Sequence, residues 1–326
     1  MWLTHADNGS IWSHVVNQLD SDTETVFDDD LAPVAARGDP LRVFRAGDIN
    51  DFGLIIPSVT PAVSGDTVTP GASNTFGSFA ALYTSAEVTD KAYGILINFN
   101  NNAVSATARD TLVDIGVDEA GGTNYRVVIP TLLASSAGTQ SASNGGCGGI
   151  WYYFPLGIEA GSSVAARASV NNATAGSFQV ACWLHCRPRR PDLHRVGSFV
   201  RAFGINTATS SGTAITPNGS GSKSAFVQLG SATVEPLWWW NIGVGINNAV
   251  SSNSNSLWDL SSGSSTTLNR PIIMDQLVMP GAVETLAYMQ RGAAAQVAVG
   301  DLLFARAGSN NTSPTGMSVA AYGLGG

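Results

Sequence analysis

Asn101-Asn102-Ala103-Val104-Ser105 returns as Asn247-Asn248-Ala249-Val250-Ser251, a shift of 247 − 101 = 146. Three other segments return in the same order. Gly65-Asp66-Thr67-Val68-Thr69-Pro70 matches Gly212-Thr213-Ala214-Ile215-Thr216-Pro217, and Leu112-Val113-Asp114-Ile115 matches Leu257-Trp258-Asp259-Leu260. The run Gly161, Val164, Ala166-Arg167-Ala168, Asn171-Asn172 and Val180-Ala181 matches Gly300, Leu303, Ala305-Arg306-Ala307, Asn310-Asn311 and Val319-Ala320. The shift drifts from 147 to 139 along the chain. Such a period far exceeds the ~20–50 residues of solenoid arrays and matches a whole domain. A chain built this way folds as one domain made twice. The expected division is an arm or attachment segment over 1–50, a first repeat over 51–186, a linker over 187–198 and a second repeat over 199–326.

The apolar runs of the first repeat are short and punctuated. They include Ile95-Leu96-Ile97-Asn98-Phe99, Thr111 to Val117, Tyr125 to Ile129, Ile150 to Leu156, Ser163 to Ala168 and Phe178 to Leu184. Each is strand length, rich in β-branched and aromatic residues, and bounded by Gly, Pro, Asn or Ser. No long window carries the i, i+3, i+4, i+7 apolar pattern of a helix. Thr131-Leu132-Leu133-Ala134-Ser135-Ser136 is the exception and reads as one short helical turn. The fold class is therefore all-β, with two tandem antiparallel β-sandwiches of jelly-roll type.

Charged residues make up 12% of the chain, against a usual share of about 25%. Such a surface suits a protein packed against copies of itself; turn-rich β proteins also use many small polar residues. The net charge is −8, and no basic patch is dense enough to follow a phosphate backbone, which argues against nucleic acid. Arg187-Pro188-Arg189-Arg190-Pro191 is basic but sits between the repeats, as a stiff link. No apolar stretch approaches the ~18 residues of a membrane span, and no signal peptide is visible at the N-terminus. Three cysteines make no disulfide framework.

The first 50 residues contain the acidic run Asp20 to Asp30, together with Trp2, Leu3, Ile11, Trp12 and Phe27. They hold too little bulk for their own core and too much apolar surface for a solvated tail. The expectation is an arm ordered against a neighbouring subunit or another protein of the same particle, with Trp2 and Trp12 among its contacts.

Cys182, His185, Cys186 and His194 invite a zinc reading, with Cys147 as the remaining thiol. Strand alternation turns His185 away from the cysteines. Four residues of strand separate Cys182 from Cys186 by roughly 13 Å, too far for a shared metal, so buried thiols are expected. Asp110, Asp114 and Asp118 share a strand face but are spread too widely for paired acid/base work. Asp114 recurs as Asp259, and Arg167 as Arg306, which points to a structural ion pair or hydrogen-bond anchor kept in both halves. Asn101 and Asn247 are repeated structural positions of the same kind. No nucleophile elbow, phosphate loop or His-Glu-x-x-His occurs. No catalytic residue, metal or cofactor is expected. Trp238-Trp239-Trp240 aligns near Ala92-Tyr93-Gly94; alternation sends Trp239 to one face and its neighbours to the other. One face is core, and an outer tryptophan would meet a protein partner or a sugar ring.

Ala108 to Val117, Val128 to Leu133 and Phe154 to Arg167 together resemble structural proteins of tailed bacteriophages. In these virion proteins a strand reading L-V-D-I-G precedes F-P-L-x-I-x-A-G-x-x-V-A-A-R. The resemblance spans the first repeat and, more weakly, Gly300 to Ala307. It implies a non-enzymatic virion component made in the bacterial host cytoplasm. Such a component sits on the tail, baseplate or fibre, or decorates the capsid, and partners itself, as a trimer or ring, and other virion proteins. The competing class is a module that binds or depolymerises host-surface carbohydrate. Depolymerisation needs two carboxyl groups about 5–10 Å apart, and no such pair can be placed.

Overall fold

Nearly every apolar run becomes a strand in the computed structural model. It describes residues 53–57, 65–71, 73–100, 111–135, 150–171, 177–186, 195–205, 212–219, 221–246, 254–264, 272–281, 288–310 and 317–326. The readings of the arm with Trp2 and Trp12, of Asn101, Asp110, Cys147, His194 and Asn247, and of residues 187–194 lie outside these.

The first repeat forms β1 (Gly53–Ile55), β2 (Asp66–Val68), β3 (Ala80–Tyr83), β4 (Ala92–Asn100), β5 (Thr111–Asp118), β6 (Arg126–Ser135), β7 (Ile150–Phe154), β8 (Ser163–Val170) and β9 (Phe178–Cys186). One sheet runs β1-β9-β4-β7, with β2 also on β9; the other runs β3-β8-β5-β6. Every pairing is antiparallel. The partners are nested: β5 with β6, β4 with β7, β3 with β8, β2 with β9. A long hairpin rolled into two facing sheets has this order, and it is a jelly roll.

The second repeat forms β10 (Phe199–Phe203), β11 (Thr213–Ile215), β12 (Val227–Gln228), β13 (Leu237–Ile246), β14 (Ser254–Gly263), β15 (Ile272–Gly281), β16 (Tyr288–Val297), β17 (Leu302–Ser309) and β18 (Met317–Gly325). Its sheets run β10-β18-β13-β16, with β11 on β18, and β12-β17-β14-β15. Strand for strand this is the first order again. Gly53–Arg187 and Val196–Gly326 form one compact unit. Gly197 and Ser198 are tied down on both sides: Gly197 exchanges backbone hydrogen bonds with Pro155 and Gly157, and Ser198 N–H donates to Gly325.

Recurrent glycines mark the places where backbones crowd. Gly65 and Gly212 have φ of +148° and +124°. A Cβ at either would lie 2.5 Å from the Val180 carbonyl oxygen or 2.4 Å from that of Val319. Gly212→Ala is expected to cost more than about 1 kcal/mol in urea unfolding, because the clash is with backbone and the φ disfavours L residues. Gly161 and Gly300, at +80° and +88°, have open space around the missing Cβ, so alanine there meets only the φ penalty.

Thr131 to Ser135 is not a helical turn but the end of β6. Pro130 cannot donate to the ladder, and Thr131 takes φ +49°. The β5–β6 register shifts between Val113 and Ile115. The Thr131 N–H left over donates to the Asp114 carboxylate at 2.8 Å, so the break in pattern is a bulge with a side-chain partner.

Candidate functional site

The repeated acid and base face each other across neighbouring strands. Asp114 on β5 lies opposite Arg167 on β8, and Asp259 on β14 opposite Arg306 on β17. Arg167 Nε donates to Asp114 Oδ2 at 2.9 Å, and Arg306 Nε to Asp259 Oδ2 at 2.7 Å. Both pairs lie on the outer face of their sheet under an aromatic roof. The Arg167 guanidinium stacks on Phe76 and Phe79 at 4.9 and 4.8 Å, and that of Arg306 on Phe226 at 4.4 Å.

The roofing segment is itself a repeat that sequence comparison left unread beyond Pro70 and Pro217. The N–H groups of Gly71, Asn74 and Gly77 donate to Ala168, Val170 and Ala168. Asn218, Gly221 and Ser224 do the same to Ala307, Ser309 and Ala307. At the constant shift of 223 − 76 = 147, Phe76 is replaced by Lys223. Lys223 Nζ donates to Asp259 Oδ1 at 2.5 Å and reaches Asp275 at 3.4 Å. Asp259 is fully buried between two cations, whereas Asp114 has one cation and a backbone N–H. Burial pushes the Asp114 carboxyl up from the ordinary carboxylate range, and the Thr131 N–H and Arg167 offset this in part. Asp118 caps the β5–β6 turn by accepting from the Ala120 and Asn124 N–H groups. These carboxylates are occupied in holding strands and turns together.

The three tryptophans are all interior, at 8%, 5% and 0% exposure for Trp238, Trp239 and Trp240. Simple alternation fails because β13 carries a bulge between Leu237 and Trp239. The first repeat carries the same bulge between Ala92 and Gly94. Pairing to the last strand then equates Trp238 with Tyr93, Trp239 with Gly94 and Trp240 with Ile95, one residue from the sequence alignment. Trp240 fills the second core and donates Nε1–H to Ala295 O at 2.9 Å. Trp238 and Trp239 belong to the apolar cluster of the first jelly roll. The expected outward tryptophan is thus corrected: the surface it meets is the other repeat of its own chain.

That junction was not legible in sequence. Tyr322 on β18 inserts its hydroxyl against β6, accepting from Leu133 N–H at 2.8 Å and donating to Thr131 O at 3.0 Å. Tyr152 packs edge-on against it with ring centres 5.5 Å apart and donates to Leu133 O. Trp239 Nε1–H and Asn241 Nδ2–H both donate to Tyr153 O, at 3.2 and 2.8 Å. A cleft of about 420 Å³ opens beside the junction, lined by Arg126, Val127 and Pro130 of β6, Phe199, Val200 and Arg201 of β10, and Glu235. Arg201 grips Glu235 at 3.2 and 2.6 Å and holds that carboxyl below its usual range. Arg126 bonds Glu119 at 3.0 Å. Both cations of the cleft are already met by acids of the chain.

Cys182 and Cys186 are buried in the first core. Burial pushes the Cys182 thiol up, which keeps it protonated and unreactive. Tyr83 Oη donates to the Cys182 carbonyl. Among the described residues no three His, Cys, Asp or Glu side chains converge as a metal site.

Burial holds the His185 imidazole below its ordinary range. As pH falls below about 6.5 the unfolded chain takes up a proton that the folded chain disfavours, so stability is lost on the acid side. His185→Gln is expected to flatten the Tm profile between about pH 7 and 5; a variant profile parallel to wild type would discount the group. Asp66 and Asp114, raised by burial, act oppositely. Their contribution is complete below the unfolded carboxylate range and is lost as pH rises through the folded value.

No protein-family model matches the chain, and no curated protein matches it. Among solved structures it is similar to the N-terminal CBM22-1-CBM22-2 tandem domain from Paenibacillus barcinonensis Xyn10C. The identity is 11% and the TM-score 0.23, over 82% of this chain and 96% of that one. A fucolectin from Morone saxatilis (striped bass) serum gives 10% identity and a TM-score of 0.22, over 84% and 96%. Tripeptidyl Peptidase 2 gives 8% and 0.21, over 84% of this chain and 23% of that one. Likenesses this slight carry no argument about activity.

Proposed function

We propose that the chain is a non-enzymatic structural component of a tailed-phage virion, seated on the tail, baseplate or fibre apparatus. The observation that carries the reading is the use made of the residues behind the phage resemblance. Leu112 to Gly116 form the interior strand β5, Val164 to Arg167 form β8, and their Asp114 and Arg167 lock to each other. The acid and base of the motif are spent on scaffold, twice over. A pair of jelly rolls fused through a buried junction is a stiff spacer that holds its loops apart. The alternative of stacking host glycans on the tryptophans loses its platform, because all three are interior.

The test is on particles of the phage that encodes the chain. Peptide mass spectrometry of density-purified virions is expected to find it at fixed stoichiometry, and immunogold labelling to place it on the tail. Gold over the head would move it to capsid decoration. Presence in the infected-cell lysate with absence from purified particles would end the reading.

A further inference from the structure

The chain has only two lysines, Lys91 and Lys223. Lysine is the basic side chain that gives up a proton readily enough to act as a nucleophile; arginine is not. Lys91 meets Glu159 at 2.6 Å on the surface, with side chains 42% and 61% exposed, where water competes for both partners. Lys223 is set differently. It stands in the place of Phe76 of the first repeat, its side chain is 19% exposed, and its Nζ rests 2.5 Å from Oδ1 of a carboxylate with no exposure at all. That contact holds Nζ within about 3.7 Å of Asp259 Cγ, because one C–O bond adds only ~1.23 Å. The separation is close to the ~3–3.5 Å of a near-attack pair. Two further groups touch the reacting atoms. Asp275 Oδ1 lies 3.4 Å from Nζ, with its side chain 55% exposed and in exchange with water. Arg306 Nε–H donates to Asp259 Oδ2 at 2.7 Å.

We propose that Lys223 and Asp259 condense to an intramolecular isopeptide bond, which straps the roof segment of the second jelly roll to β14. Asp275 takes a proton from Nζ and frees its lone pair. Nζ attacks Asp259 Cγ, and Arg306 steadies the negative charge that develops on Oδ2. The Cγ–Oδ1 bond then breaks. Oδ1 leaves as water, carrying the two protons that the nitrogen loses, relayed by Asp275. One ammonium and one carboxylate become one neutral amide and one water, with no change of oxidation state, so no co-reactant enters. Fixed geometry and the exclusion of water favour the condensed side, as does the replacement of two buried charges by a neutral group. The ionic triad is the reactant of this step. The first jelly roll is the internal comparison: Asp114 meets an arginine there, and Phe76 stands in the lysine's place, so no such bond forms. A covalent strap suits the stiff spacer proposed above. It is read in purified protein, so its failure is separate from absence in virions.

The purified full-length chain is weighed, intact and denatured, by electrospray mass spectrometry. It is expected to be lighter than its sequence by one water. Chymotrypsin, which cuts between residues 223 and 259 at sites such as Phe226 and Trp240, is expected to release a branched peptide joining Lys223 to Asp259. Lys223→Arg keeps the charge, removes the nucleophile and should restore the full mass. If that variant fails to fold, the branched peptide of the wild type decides. Asp275→Asn, at an exposed position, should slow the appearance of the light species in freshly translated protein by roughly a hundredfold or more. Wild type at full mass after prolonged incubation, a water loss that survives Lys223→Arg, or an unchanged rate in Asp275→Asn would overturn the proposal.

Discussion

Asp259→Ala is expected to be among the most damaging single changes in the second jelly roll, lowering its unfolding free energy by about 3–5 kcal/mol. The carboxylate is fully buried and receives Lys223 at 2.5 Å and Arg306 at 2.7 Å. Its removal leaves Arg306 without its acid and Lys223 with only the longer, half-exposed contact to Asp275, the two cations' side chains being 30% and 19% exposed. The penalty comes from charge left without a counter-ion in a low-dielectric setting, not from the intrinsic worth of an ion pair. Two controls separate these. Replacing Asp259, Lys223 and Arg306 together by apolar residues should recover much of the loss, since an absent triad strands no charge. Asp114→Ala should cost less, since it strands one arginine stacked on Phe76 and Phe79, together with the Thr131 N–H. Urea denaturation measures all three. A loss under about 1 kcal/mol for Asp259→Ala, the value of an exposed pair, would contradict the buried-triad account.

Tyr322→Phe tests the junction and is expected to cost about 2–4 kcal/mol. One oxygen atom is removed. It accepts from Leu133 N–H and donates to Thr131 O on β6, both far away in sequence. An edge strand buried without partners for its backbone is costly. The phenyl ring still packs edge-on against Tyr152, so the loss reports the hydroxyl and not a cavity. Calorimetry should also change in form. Wild type should unfold in one transition, because Trp239 and Tyr322 of the second jelly roll are buried in the core of the first. The variant should broaden or split. An unchanged Tm with a single sharp transition would mean that the jelly rolls are joined by other contacts.

The duplication, the strand content and the Asp–Arg pairs were open to sequence reading for one physical reason. A buried charge pair and a glycine pressed on a carbonyl tolerate few substitutes, so Asp114 and Asp259, Arg167 and Arg306, and Gly65 and Gly212 still match. The helical turn assigned at Thr131 and the alternation assigned to the tryptophans failed where bulges insert a residue. A bulge reverses the faces beyond it and leaves no unambiguous mark in local composition. The roof over Arg306 stayed hidden because Phe76 became Lys223, a change explained only when Asp259 is seen with room for a second cation.

Sequence by itself determined that the protein is one all-β unit made twice, with an acid and a base kept in each copy. Only the tertiary structure decided how the copies meet. Strand register puts Tyr322 where the first repeat has Trp183 and Asn241 where it has Leu96, so the junction lies at positions where the repeats differ. Once one sheet face was buried against a neighbour and its counterpart was not, the two came under different physical demands. A surface shaped by its partner cannot be read from a repeat that lacks that partner.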